Sequence, residues 1–176
     1  MIVPMDTTIT TAEPEIAPRL AALKLETAVA LYEGLLEPGG FEEWLAYYCT
    51  GTRIVEFMAN RSYFYVGPGH RPHGMVGVEV DGERAQIVDL YVRPDEQRGG
   101  YGTALLAHAE RWARSEGALT AEIDLFAPYE AGRRFVAARG YREVSALTEE
   151  HSKGEVIRCM RLLEGADGEP DSAEPV

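Results

Sequence analysis

The chain has 176 residues, a formal net charge of -12, 45% hydrophobic and 26% charged residues, which suits one soluble domain with a real core. A fold-wide preference for nucleic acid or an anionic membrane is excluded, because both demand a basic face. The acidic balance would suit a cationic or amine substrate, although solubility is the simpler explanation. Cys49 and Cys159 make no C-x-x-C pair and read as free thiols of a reducing, cytoplasmic setting. The start, Met1-Ile2-Val3-Pro4-Met5-Asp6, lacks the basic region and apolar run of a signal peptide, and nothing reaches membrane-spanning length. His70 and His73 sit in a Pro/Gly loop and read as a solvated pair, so no metal is expected.

Residues Thr7 to Thr10 read as a short strand, and Thr10 with Glu13 as a capping box ahead of a helix that starts near Pro18. Leu20, Leu23, Leu31 and Leu35 carry helical spacing, and Glu37-Pro38-Gly39-Gly40 is expected to stop that helix. Phe41, Trp44, Leu45 and Tyr48 mark a second short helix, with a further helical piece over Arg53 to Asn60. The period then changes. Tyr63 to Val66, Met75 to Val80 and Gln86 to Val92 read as three successive antiparallel strands, the last two joined at Asp81-Gly82. A helix over Gly102 to Glu116 presents Leu105, His108, Ala109 and Trp112 on one face and ends at Gly117. A strand over Ala121 to Phe126, a helix over Glu130 to Arg139 ending at Gly140, and strands over Tyr141 to Leu147 and Glu155 to Leu163 complete residues 1–163 as one domain. Residues 164–176 are acidic and Gly/Pro/Ser-rich, and read as a disordered tail.

Gln97-Arg98-Gly99-Gly100-Tyr101-Gly102-Thr103 lies between a strand and a helix. The free N–H groups and dipole of a helix start favour an anion there, glycines allow close approach, and Arg98 adds charge. The dinucleotide pattern G-x-G-x-x-G fails, because Gly100-Tyr101-Gly102-Thr103-Ala104 is followed by Leu105. The phosphate loop ending in Gly-Lys-Ser/Thr fails as well. What remains is Q-x-x-G-x-G, formed by Gln97, Gly100 and Gly102.

With the lead-in Leu90-Tyr91-Val92-Arg93-Pro94, the helix start Thr103-Ala104-Leu105-Leu106, and Phe135 followed by Gly140-Tyr141, this loop resembles the acyl-CoA-binding motif of the GCN5-related N-acetyltransferases. The order of elements agrees from Thr7 to Leu163. The resemblance implies an α/β fold: a mostly antiparallel, twisted sheet of about seven strands, splayed at the cofactor site and flanked by about four helices. It implies acetyl-CoA as co-substrate, with the diphosphate on the amides of Arg98 to Thr103 and the pantetheine beside Leu90, Tyr91 and Val92. Gln97, Gly99, Gly100, Tyr101, Gly102 and Phe135 complete the expected cofactor contacts. The implied reaction is direct attack of a primary amine on the thioester, with a small-molecule amine as the acceptor. The last two strands could pair between subunits in a homodimer.

Two positions depart from the family pattern. Val136 stands where many relatives carry a tyrosine acid, and Gln86 where some carry a carboxylate base. Tyr129, at the turn after a strand, is the replacement donor the resemblance offers; the plain alternative is an aromatic packed at a helix start. Asp89, in Val88-Asp89-Leu90-Tyr91-Val92, is the carboxylate expected to order the acceptor's ammonium or its water chain, against a strand aspartate that only pairs locally. Glu79 is a weaker choice. Trp44, Tyr47, Tyr48, Tyr63 and Tyr65 divide between core and acceptor pocket. His108 and Tyr141 read as packed residues, and Glu42-Glu43 and Glu149-Glu150 as solvated. A catalytically silent acyl-CoA-binding module and a transferase of longer acyl chains are the alternative functions.

Overall fold

The computed structural model describes residues 6–163. The expected acidic tail over 164–176 lies outside the described residues. Seven strands form one sheet in the order β1-β2-β3-β4-β5-β7-β6. They are β1 Ile9–Thr11, β2 Ser62–Val66, β3 Gly74–Asp81, β4 Arg84–Val92, β5 Thr120–Phe126, β6 Arg142–Thr148 and β7 Glu155–Leu162. Every neighbouring pair is antiparallel except β4 with β5. The helices are α1 Ala17–Tyr32, α2 Pro38–Tyr48, α3 Gly51–Phe57, α4 Tyr101–Ser115 and α5 Glu130–Ala137. Among the described residues there are five where about four were expected.

Two cores hold three layers together. On one face of the sheet, α4 places Leu105, Leu106, Ala109 and Ala113 against Val76, Val78, Ile87 and Ile123, with Val136 of α5 and Tyr141 alongside. On the other face, Leu20, Leu23, Trp44 and Ile54 from α1, α2 and α3 pack on Tyr63, Met75, Tyr91 and Phe126. Burying apolar stripes on both faces is what lets a sheet of mixed direction persist.

Three local expectations need correction. Thr10 is paired with Tyr65 in β1, so it caps nothing; the short turn Pro14–Ile16 starts instead at a proline, with no side-chain cap. Helix α1 stops at Tyr32 rather than Leu35. Pro38-Gly39-Gly40 is not a stop signal but the first turn of α2, where proline tolerates a missing donor. Gly40 has a tertiary reason: a Cβ there would stand 2.1 Å from the Ser152 carbonyl oxygen in the β6–β7 turn. Gly40→Ala must therefore push α2 off that turn. The expected loss is about 1–3 kcal/mol, read as a fall of several degrees in thermal midpoint, and Gly39→Ala, with open space around it, is the matched control.

The feature that positions the site is a break between β4 and β5. Their parallel ladder runs only from Arg84 opposite Thr120 to Ile87 opposite Ile123. Beyond it, β4 continues to Val92 on β3 while β5 continues to Phe126 on β7. The two strands diverge, and β4 is left with an unpaired edge from Val88 onward.

Candidate active site

A β-bulge sits where the strands part. Opposite β3, Tyr91 faces Met75 but Val88 faces Gly77, so Asp89 and Leu90 together oppose Val76. Asp89 has a φ of 53°, a left-handed conformation that aspartate tolerates better than most residues. The extra residue resets which side chain faces which core. Leu90 and Val92 join the α4 core, and Tyr91 joins the α1–α3 core. The Asp89 carboxylate turns to the α1 side, where Lys24 Nζ lies 2.7 Å from Oδ1 and the Tyr63 hydroxyl donates to Oδ2 at 2.9 Å. Lys24 is 1% exposed and Asp89 10%. The ammonium also lies 5.5 Å from the Trp44 ring centre and 5.2 Å from that of Tyr48, so aromatic faces complete its shell.

The glycine-rich loop stands at the other end of the break. Pro94–Glu96 form one 3-10 turn, and α4 then starts at Tyr101 with Gly100 as its N-cap. Gly100 has a φ of 85° and no side chain closes the cap. The first intrahelical bond runs from Ala104 N–H to Gly100 carbonyl. The amides of Gly100 to Thr103 therefore point out of the helix start without intrahelical acceptors. Arg98, also left-handed at a φ of 66°, is exposed in front of them. The Gln97 side chain donates to the Val92 carbonyl at 3.1 Å, tying the loop to the end of β4. Tyr101 is buried and stacks on His73, with ring centres 5.3 Å apart. Its ring anchors the helix start.

Sequence reasoning missed Arg139. It lies four residues after Phe135, whose ring centre is 3.6 Å from the guanidinium and whose carbonyl accepts from it at 2.8 Å. It also donates to the Thr103 hydroxyl at the start of α4, and its Nε is buried with no hydrogen-bond partner. Arg139 thus brings a guanidinium to the start of α4, beside amides that lack intrahelical acceptors.

Between loop and bulge lies a cleft of about 1010 Å³ whose walls include β4 from Val88 to Val92, the loop, β5, Phe135 and the aromatic side chains of α1 and α2. Tyr129, the N-cap of α5, enters it from the far side. Its ring packs edge-on to Tyr32 at 5.4 Å, and burial raises its pKa. Val136 is 2% exposed and packed in the α4 core. Gln86 lies in register between Glu79 and Glu122, and Glu79 is bound by Arg61 at 2.9 Å.

Of the expected aromatics, Trp44 and Tyr48 line the cleft, while Tyr63 is core with only its hydroxyl on Asp89. Tyr47 stacks on His151, and Tyr65 packs at the edge of the α1–α3 core. Tyr32 and Phe126, not foreseen, add to the cleft wall. His108 packs edge-on to Phe64 at 4.5 Å, with burial lowering its pKa, and Tyr141 is buried and bonded to Glu110. Glu42, Glu43 and Glu150 are exposed as expected. Glu149 is not: it lines the cleft and accepts from Tyr48 at 3.2 Å.

The sheet split and the glycine-bounded start of α4 thus share one cleft. The family model described as acetyltransferase (GNAT) family matches residues 26–141. The chain belongs to the acetyltransferase (GNAT) family. Solved structures of similar fold include a GCN5-related N-acetyltransferase from Rhodopseudomonas palustris, at 19% identity, a TM-score of 0.76 and coverage of 92% of this chain and 99% of that one. The PaiA N-acetyltransferase from Thermoplasma acidophilum, in complex with coenzyme A, superposes at a TM-score of 0.71 and 16% identity, covering 86% of this chain and 96% of that one. The ribosomal-protein-S18-alanine N-acetyltransferase of Escherichia coli superposes at 0.66 with 17% identity, over 92% and 97% of the two chains. Comparison with curated protein sequences found no match. Among the described residues, no helix is long and apolar enough to cross a membrane.

Proposed function

We propose that the protein transfers an acetyl group from acetyl-CoA to a primary amine of a small acceptor. The observation that carries this is the unpaired edge of β4, which runs from the bulge at Asp89 to a short loop that ends at the free amides of α4. In this reading the amides of Arg98 to Thr103 hold the diphosphate, with Arg139 as an added charged contact. Gln97 fixes the loop, Gly99 leaves it uncovered, and Phe135 walls the site. The backbone of Leu90, Tyr91 and Val92 takes the amide-bearing arm of the cofactor as a strand edge takes a peptide. Acetyl-CoA supplies the thioester; the chain supplies orientation and proton handling.

Asp89 is proposed to draw the acceptor's proton through ordered water. Each of its oxygens keeps a lone pair beyond the bond from Lys24 or Tyr63. Tyr129 is proposed as the donor to the leaving thiolate, because Val136 cannot donate. Burial raises the Tyr129 pKa, so its hydroxyl carries its proton at neutral pH. Tyr129→Phe is expected to lower kcat by about 10²-fold with little change in KM; an unchanged kcat would leave solvent as the proton source.

A catalytically silent acyl-CoA-binding module is the second reading, favoured by the burial of Val136 at the usual donor position. Mass analysis of acetyl-CoA incubated with the protein and a panel of amines separates the two. An amine that gains one acetyl group supports transfer. Acetyl-CoA binding with no product from acetyl-CoA or, in a parallel incubation, from a longer acyl-CoA supports the module, and product from the longer acyl-CoA alone supports the longer-chain transferase.

A further inference from the structure

Acetyl transfer as proposed for the cleft makes no use of Glu149, yet this carboxylate faces the same space as Trp44 and Tyr48. Three other carboxylates on the cleft wall are matched. Lys24 lies 2.7 Å from Asp89, Arg61 2.9 Å from Glu79, and Arg158 2.8 Å from Asp124. Among the described residues, no Lys, Arg or His pairs with Glu149 within ion-pair distance.

Glu149 is nevertheless held as an anion. Burial would raise its pKa, but hydrogen bonds from Ser152, His151 and Tyr48 outweigh that and hold it below the ordinary carboxylate value. Oε2 accepts from the Ser152 amide at 2.6 Å and the His151 amide at 3.1 Å, and Oε1 accepts from the Tyr48 hydroxyl at 3.2 Å. Oε1 carries only the Tyr48 bond, which leaves it a lone pair for one more donor. Beside it, the Trp44 and Tyr48 rings lie 5.4 Å apart. These rings already attract one ammonium, that of Lys24. A single tyrosine side chain spans the interval: the Tyr48 ring meets the Lys24–Asp89 pair at the strand break, and its hydroxyl meets Glu149.

We propose that Glu149 determines acceptor specificity by receiving a second cationic group, so that the protein takes diamines in preference to monoamines. The inference rests on reading the cleft as the acceptor site. A carboxylate without a cation, next to aromatic faces, is matched by an ammonium and left unmatched by a methyl group. The mere brace of the β6–β7 turn would need the two amide bonds to Oε2 and no cation.

Calorimetric titration of the CoA-saturated protein with cadaverine and with pentylamine, its monoamine of equal chain length, tests this without turnover. The wild type is expected to bind cadaverine about tenfold tighter. In Glu149→Gln, whose side-chain oxygen still serves the turn amides, the ratio is expected to fall close to one. Equal affinities in the wild type overturn the proposal, whether or not the variant folds. A ratio preserved in the variant also overturns it, by assigning the preference to the general acidity of the chain. A diamine preference with no acetylated product from any amine supports Glu149 as a cation site and counts against acetyl transfer alone.

Discussion

Lys24→Met is expected to be the most destabilising single change in the protein. Lys24 is 1% exposed and its ammonium is 2.7 Å from Asp89. Methionine keeps most of the volume and strands a carboxylate that is itself 10% exposed. Removing one partner of a buried pair costs about 3–5 kcal/mol, because the remaining charge keeps little water and loses its counter-ion. For a chain of this size the thermal midpoint should fall on the order of 10 °C. The interpretation is checked by adding Asp89→Asn. Asparagine also tolerates the left-handed conformation at position 89, and it keeps an oxygen for the Tyr63 hydroxyl. The double variant should recover about half of the loss or more. If Asp89→Asn instead adds its own full cost on top of Lys24→Met, the two residues are not coupled and the buried pair is not what holds α1 to the bulge.

Gly100→Val is expected to have the largest effect on cofactor binding. The N-cap of α4 has a φ of 85°, and a β-branched residue there is a strained outlier costing about 1–3 kcal/mol. Relief of that strain rotates the amides of Tyr101 to Thr103 away from their common target. Acetyl-CoA affinity should fall about a hundredfold, since a shift of about 1 Å in a positioned group has effects of that size. The loop is exposed, so the thermal midpoint should move by only a few degrees. Gly100→Ala, without branching, should fall between wild type and valine. An unchanged acetyl-CoA affinity in Gly100→Val would place the diphosphate elsewhere.

The order of elements was legible because hydrophobic period is local: helical spacing over α1 and α4, and alternation over β3 and β4, can be read residue by residue. The loop was legible for the same reason, as Gln97, Gly100 and Gly102 fall within one short stretch of sequence. The errors came where a distant segment decides. Gly40 reads as a helix stop until the Ser152 carbonyl is placed against it. Glu149 reads as a surface acid until the β6–β7 turn folds onto α2 and meets Tyr48. The bulge at Asp89 depends on register with β3, which alternation within β4 alone does not specify. Two missed residues did leave a local signal. Lys24 falls four residues after Leu20 and one after Leu23, inside the apolar stripe of α1, where an unpaired charge is costly. Arg139 follows Phe135 by one helical turn, next to the glycine that ends α5.

The most direct test of the central claim is the initial rate of CoA thiol release at saturating acetyl-CoA as the concentration of an amine is raised. The rate is predicted to rise with amine and saturate, and Gly100→Val is predicted to need about a hundredfold more acetyl-CoA to reach it. A rate that stays flat for every amine, in protein that binds acetyl-CoA, would contradict amine acetylation and leave the fold as a binding module.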